Sequence, residues 1–418
     1  MKISKFGKKI TERSGISQLM VDLGYALAQD GDVYMLGGGN PAHIPQVQRY
    51  FRESMQRLLD RVGAFEQAIG NYDPPQGNRQ FIEAICMLLC GEFGWAVEPK
   101  NVALTNGSQS AFFALFNVFG GIFENGVEKK ILLPLTPEYI GYCDVGLAEE
   151  MFVASRPEIR HIDEHTFKYH VDFDRLHITD EVGAICVSRP TNPTGNVLTD
   201  SEIEKLGEIA RIHDVPLISD NAYGTPFPNI VFTEAKPVWN EHTILCMSLS
   251  KLGLPATRTG IVIANEEVIR MVSEMNAVMS LAPGGMGAAI ASEMVRNGEI
   301  IRLSREVIRP FYEKKAAEVV GQIIENLKGV DFHIHKPEGA IFLWLWFKGL
   351  PITNQQLYDR LKKRGVLVVP GHYFFPGLKE QWQHKDECIR INYSQDRETV
   401  TAGVEIIAEE VKRAYGTA

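Results

Sequence analysis

Between about residues 100 and 265, short runs of consecutive apolar residues alternate with stretches whose apolar positions recur every three or four residues. NVALTNG (101–107) reads as a strand and turn, and SQSAFFALFNVFG as a helix entered directly from it. KKILLPLTP (129–137) and GAICVSRPTNPTGN (183–196) begin as strands, the second running into a loop punctuated by prolines. TDSEIEKLGEIARIHD (199–214) reads as a helix opened by a capping box, Thr199 with Glu202 three residues on. VPLISD (215–220) and HTILCMS (242–248) are two further strands. Apolar runs this short, separated by helices, predict a largely parallel sheet covered on both faces, and such sheets bind ligands beyond the carboxyl ends of their strands.

After about residue 300 the pattern changes. A long helical segment (305–327) leads into HKPEGAIFLWLWF and GVLVVPG, then into the alternating strand ECIRINYS and a terminal helix near 397–414. This mixture predicts a smaller α+β domain beside the α/β one. The expected division is an N-terminal arm and part of the small domain over 1–50, a large domain over 51–304 and a C-terminal small domain over 305–418. The first 35 or so residues are expected to form an arm packed on the small domain or on a partner subunit. GAIFLWLWF (339–347) is about half a membrane span and reads as a buried strand.

Composition narrows the classes. A chain of 418 residues is too long for one core, so two or three domains are expected. A net charge of −9 argues against broad phosphate-backbone binding, hence against a nucleic-acid partner. Six cysteines scattered through apolar segments suit buried, reduced thiols. Cys86 and Cys90 stand one helical turn apart, but no second pair or nearby His completes a metal site, so no metal is expected. MKISKFGKKITERSG is charged, lacks the apolar core of a secretory signal, and leads us to expect a cytoplasmic protein without membrane association.

The residues of unusual chemistry fall at the predicted strand ends. Lys251 sits in LCMSLSKLGLPATRTG among small residues, with Arg258 seven positions later. A neutral amine is a nucleophile toward an aldehyde, and burial beside other cations lowers a lysine's pKa; the alternative is a solvated loop lysine. Asp220 ends VPLISD, where a buried carboxylate needs a partner: the turn through Asn221 and Ala222, or a heterocyclic nitrogen. Tyr223 offers a phenol on the same turn, or is a sheet-edge tyrosine. Asn192 in RPTNPTGN is aimed by a stiff loop, or serves turn chemistry alone. Gly107, Ser108 and Gln109 open a helix where free backbone N–H groups favour an anion, although Ser108 is also a plain N-cap. Ser248, Ser250 and Arg258 are further donors to such an anion.

Tyr139 in LTPEYIGY is a ring able to stack on a flat cofactor, or a core aromatic. In ECIRINYS, Ile389 and Ile391 alternate with Arg390 and Asn392, so one face is apolar and the other carries a guanidinium. That planar fork suits a carboxylate, either of a ligand or of the chain itself. The glycines of LGGGNP (36–41), Gly39 among them, permit close backbone approach to a ligand, or a flexible loop. Tyr72, in the proline-rich turn NYDPPQG, offers a phenol to a phosphate across a subunit boundary.

Taken in order, Gly-x-Pro, Tyr, Gly-Ser-Gln, Pro-x-Tyr, Asn-Pro-Thr-Gly, Asp-x-x-Tyr, Ser-x-Ser-Lys and Arg, the chain resembles the fold-type I pyridoxal-phosphate aminotransferases from Gly39 to Arg390. The resemblance implies a mostly parallel, seven-stranded-type sheet between helices and a smaller α+β domain, with pyridoxal 5'-phosphate as cofactor. It implies that Lys251 holds the cofactor covalently and then serves as the base that moves the α-proton. Asp220 would pair with the pyridine nitrogen, Tyr223 and Asn192 with the ring hydroxyl, and Tyr139 would stack on the ring. Gly107, Ser108, Gln109, Ser248, Ser250 and Arg258 would hold the phosphate, with Tyr72 reaching over from the second subunit of a homodimer. Arg390 would bind the substrate carboxylate, with Asn192 beside it and Gly39 contacting it through its backbone. The strings NGSQSAFFALFN, VSRPTNPTGNV and HKPEGAIFLWLWF look like the members that move an amino group between valine and pyruvate by ping-pong kinetics. Phe342, Phe374 and Phe375 are candidates for an apolar side-chain pocket. A transaminase for another neutral amino acid, or a β-eliminating lyase, would share the Lys251 and Asp220 roles. A transcription regulator on this fold would need a DNA-binding module, and no helix-turn-helix fits the roughly 35 residues before LGGGNP.

Overall fold

Every side chain of strand Val182–Ser188 is buried, which places it inside a sheet covered on both faces. A computed structural model, describing residues 2–11, 21, 24 and 33–417, gives that sheet eight strands. Their order is Val102–Thr105, Gly260–Ile263, Thr243–Ser248, Leu217–Asp220, Val182–Ser188, Glu128–Leu133 and the short edge Gly121–Ile122, with Phe152–Ala154 also on Glu128–Leu133. Six strands point the same way; Gly260–Ile263 and Gly121–Ile122 run against them. Gly260–Ile263 was not among the predicted strands. It exists because the chain turns after Lys251 and returns beside its own strand, pairing Ser248 with Gly260.

The period of two along each strand sorts the core. Ala184, Cys186, Ile244 and Cys246 face the helices Ser108–Phe119 and Glu266–Ser280. Ile185 and Val187 face the helix Asp200–Ile212, and Leu245 and Met247 face Arg79–Phe93 and Met286–Arg296. The predicted capping box is present: the Thr199 hydroxyl accepts from Glu202 N (3.2 Å) and Glu202 accepts from Thr199 N (2.7 Å).

A second sheet of six strands runs Val369–Pro370, Cys388–Asn392, Phe342–Phe347, Phe332–His335, Thr166–His170 and Glu158–His161. Its last two strands form a hairpin from within the 51–304 stretch, and Thr166 pairs with Ile334. Both faces of Cys388–Asn392 are buried, so the polar positions Arg390 and Asn392 point into protein rather than water. Tyr34–Met35 pairs with Val366–Leu367, tying the N-terminal segment to the C-terminal part. The expected arm falls partly outside the described residues; its helix Lys5–Thr11 contacts the carbonyl of Ala148 through Lys9. The helix expected over 305–327 starts earlier, at Glu299, and passes through a π turn at Ser304–Ile308 before Arg309–Asn326. That wide turn stands immediately before Pro310, which has no N–H to donate to the preceding turn.

Of the cysteines, Cys86, Cys186, Cys246 and Cys388 are buried; Cys90 and Cys143 are exposed, contrary to the expectation that all were buried, and all six are free thiols. Among the described residues no helix is long and apolar enough to cross a membrane, and no group of three or more His, Cys, Asp or Glu is placed to hold a metal ion.

Candidate active site

The carboxyl ends of the parallel strands open into one cleft, and the turn that carries Lys251 forms part of its wall. The Lys251 ε-amine donates to Gly39 O (2.6 Å) and lies 5.4 Å from the centre of the Tyr223 ring. Burial lowers its pKa from the ordinary 10.5 to about 8; the charges of Arg390 and Arg258 add to the fall and Asp220 opposes it. Asp220 ends its strand, and the expected contact with the following turn is present. One oxygen caps the turn, accepting from Ala222 N (3.0 Å); the other accepts from the Tyr142 hydroxyl (2.8 Å). Burial raises the pKa of this carboxyl, while those two hydrogen bonds and Lys251 pull it back.

At one end of the cleft, the helix Ser108–Phe119 begins after Gly107, whose φ is +83°. A Cβ on Gly107 would stand 2.2 Å from Arg258 Nη2, so only glycine lets the guanidinium close on the helix N-terminus. Arg258 reaches Ser250 Oγ at 3.4 Å, and Ser250 N donates to Ser248 Oγ at 3.0 Å. Gln109 donates to Gly141 O (3.0 Å) and Ser108 to Met247 O (3.3 Å). First-turn N–H groups, two serines and an arginine form a donor set suited to a phosphate.

At the other end stands Arg390, 2% exposed. It donates to Asn192 Oδ1 (2.8 Å) and Gly37 O (2.5 Å), with its guanidinium 4.1 Å from the Phe342 ring centre and 5.2 Å from that of Phe374. Its Nε is buried with no partner, a donor left for a carboxylate. Burial lowers the guanidinium to about 10, against Tyr223 and Tyr139. Asn392 donates to Gly38 O (2.7 Å), so each carbonyl of the three-glycine run receives one of these side chains.

The fold therefore gathers Ser108, Gln109, Tyr139, Asn192, Asp220, Tyr223, Ser248, Ser250, Lys251 and Arg258 around one cleft, with Gly107, Gly39 and Arg390 against them. Tyr72 is not brought in: it is 80% exposed on its own chain. Sequence reasoning missed Phe112 and Ala222 in the lining and, behind it, Glu138, Tyr142 and Ser188. The signal for Glu138 was present in LTPEYIGY, an acid between a strand end and two aromatic positions with no basic residue near it in sequence.

A lysine in a cleft at the strand ends, an anion cradle on one side and a buried arginine on the other, on a mostly parallel α/β sheet, define an amino-group-transfer enzyme, and the chain belongs to the class I and II aminotransferases, whose family pattern matches residues 36–407. It is 54% identical over 415 residues to the valine–pyruvate aminotransferase of Escherichia coli K12, covering 99% of both chains. The crystal structure of valine–pyruvate aminotransferase from Salmonella typhimurium LT2 superposes with a TM-score of 0.89 at 53% identity, over 96% of this chain and 100% of that one. A crystal structure from Psychrobacter arcticum 273-4 superposes over the whole of both chains with a TM-score of 0.97 at 50% identity.

Proposed function

We propose that the protein is a pyridoxal-phosphate-dependent transaminase that moves an amino group between valine and pyruvate, giving 3-methyl-2-oxobutanoate and alanine. The single observation that carries the reading is the cleft itself: a lysine of lowered pKa between a phosphate-type donor set and an arginine with a buried, unused Nε. The likeness to two valine–pyruvate aminotransferases supports the choice of substrates. When bound, the cofactor supplies an aldehyde that receives the amino group and a pyridine ring that draws electrons from the substrate's Cα.

The chain's own residues do the rest. Lys251 would hold the cofactor covalently and, once freed, would take the proton from the substrate Cα and deliver it to the cofactor's aldehyde-derived carbon. Asp220 holds a proton on the ring nitrogen, and Tyr223 and Asn192 hydrogen-bond the ring hydroxyl. Tyr139 covers the ring face. Ser108, Gln109, Ser248, Ser250 and Arg258 bind the phosphate. Arg390 grips the substrate carboxylate through Nε and an Nη, with Asn192 and the Gly39 backbone beside it. Among the described cations of the cleft, Lys251, Arg258 and Arg390 are thus all engaged, leaving none for a second carboxylate. The rings of Phe342 and Phe374 against Arg390 favour a neutral aliphatic side chain.

A homodimer belongs to this reading. Ile69, Tyr72, Val278 and Leu281 are exposed close to where Gly284 N donates to Asn106 and Asp73 approaches Gly285, beyond the phosphate end of the cleft. A second subunit on that face brings Tyr72 to a neighbouring phosphate. Free thiols suit a reducing compartment and support a cytoplasmic location.

The test is a matrix of amino donors and 2-oxo acids on purified protein, with borohydride reduction and peptide mapping. Alanine should form from valine and pyruvate, the pyridoxyl label should sit on Lys251, and Lys251→Ala should lower turnover by about 10³-fold or more. Ammonia released from a β-substituted amino acid, with no alanine formed from valine and pyruvate, would instead identify a lyase.

A further inference from the structure

The buried acids of the site do not end at Asp220. Glu138 is 2% exposed and sits behind the cleft rather than in it. Its partners come from Ser188 and Tyr139: Ser188 N donates to Oε1 (2.8 Å), Tyr139 N to Oε2 (3.3 Å), and the Ser188 hydroxyl is hydrogen-bonded to Oε2. Ser188 Oγ lies 3.4 Å from the Tyr142 hydroxyl, and that hydroxyl donates to Asp220 at 2.8 Å. Ser188 and Asp220 are paired across neighbouring parallel strands, so the four groups run in a line beneath the cleft floor.

Counting protons gives the line a direction. Tyr142 spends its one hydroxyl proton on Asp220, so the contact with Ser188 is a hydrogen bond only if Ser188 supplies the proton. In that arrangement Ser188 has none for Glu138 and receives one instead, from a Glu138 in its carboxylic-acid form. Were Glu138 ionised, Ser188 would turn toward it, and two hydroxyl oxygens would face each other with no hydrogen between. The surroundings favour the acid: burial pushes Glu138 up to about 8 against the hydrogen bonds from Ser188, and the Asp220 charge adds to the rise. Of the two acids, Asp220 is the one stabilised by Lys251, so it is the one that ionises.

We propose that Glu138 is a positioning residue: a neutral carboxylic acid whose proton heads a one-directional hydrogen-bond chain through Ser188 and Tyr142, holding Asp220 anionic for the cofactor's ring nitrogen. The inference rests on the assignment of Asp220 to that nitrogen. Hydrogen bonds aligned in one direction polarise one another, so the head of the chain matters to a carboxylate it never touches.

The experiment compares two ligands on full-length protein stripped of cofactor: pyridoxal 5'-phosphate and its 1-deaza analogue, in which carbon replaces the ring nitrogen. Fluorescence titration gives both dissociation constants. Wild type prefers the nitrogen-containing ring. Glu138→Ala narrows that preference about three- to tenfold, and Tyr142→Phe, which removes the donor to Asp220 itself, about tenfold or more, with the analogue's affinity unchanged in both. Glu138→Gln, whose amide donates to Ser188 from the same place, keeps most of the preference. Equal weakening of both ligands by Glu138→Ala, or no weakening of either, overturns the inference. Where Glu138→Ala fails to fold, Ser188→Ala cuts the same chain and is judged by the same outcomes. A wild-type protein with no preference between the ligands overturns the assignment of Asp220, and this inference with it; a wild-type preference that survives Glu138→Ala overturns this inference alone.

Discussion

The ε-amine of Lys251 gives up its proton earlier than a lysine in water because it is half-buried in the cleft and two guanidinium groups stand nearby, with Asp220 opposing them. A protonated amine has no lone pair, so lowering the pKa makes the nucleophile available at lower pH. In cofactor-free protein, the rate at which Lys251 adds to an aldehyde should rise with pH to a half-maximum near 8, the value of about 8 set by its surroundings. Asp220→Asn should move that midpoint lower, because it removes the charge that opposes the fall. A midpoint near that of a solvent lysine would contradict the electrostatics of the cleft. The gathering of Lys251, Asp220 and Arg390 at one cleft was legible in the sequence because each is a charged residue where an apolar run ends or alternates. Glu138 stood out in LTPEYIGY only as an unpaired acid; its partner Ser188 lies 50 residues away along the chain and no local pattern points to it. Tyr72, expected to act across a subunit boundary, is 80% exposed on its own chain.

At the scale of an element, the helix Asp200–Ile212 is the most explicit case of local instruction. The capping box predicted from Thr199 and Glu202 is formed, and Thr199→Ala should destabilise the protein by about 1 kcal/mol in thermal or denaturant unfolding. Glu202 does more than sequence could reveal. It also accepts from Val171 N (2.9 Å) and pairs with His170 Nδ1 (3.2 Å), both from the hairpin of the other sheet. Although burial pushes its pKa up, the bonds from His170, Thr199 and Val171 hold it at about 2. A carboxyl with a depressed folded pKa stabilises the fold above its unfolded value and loses that contribution as pH falls. The stability gap between wild type and Glu202→Gln should therefore be full at pH 7 and shrink between about pH 4.5 and pH 2, the two ends of the shift. A gap independent of pH would show that Glu202 acts by packing alone. The strands Val102–Thr105, Glu128–Leu133, Val182–Ser188, Leu217–Asp220 and Thr243–Ser248 were legible for the same local reason as this helix; Gly260–Ile263, Phe152–Ala154 and the hairpin of Glu158–His161 with Thr166–His170 were not, because their places depend on the strands beside them.

For the whole molecule, the proposed dimer makes a direct prediction: sedimentation should give a mass near twice the 46.8 kDa chain, and dilution to monomers should cost activity along with the shared phosphate contact. Full activity in a monomer would remove the role given to Tyr72. What sequence pattern could not supply at this scale was the joining of segments far apart in the chain into the six-stranded sheet, since no local signal in TFKYH says that its neighbour is FHIH. That joining has a consequence for biosynthesis. On the ribosome, Thr166 emerges long before Ile334, and at ~5–20 residues per second the hairpin waits roughly ten to thirty seconds with one edge bare. During that interval the nascent chain carries an unclosed β-edge, which makes translation pauses between these two segments the moment at which a chaperone would matter most.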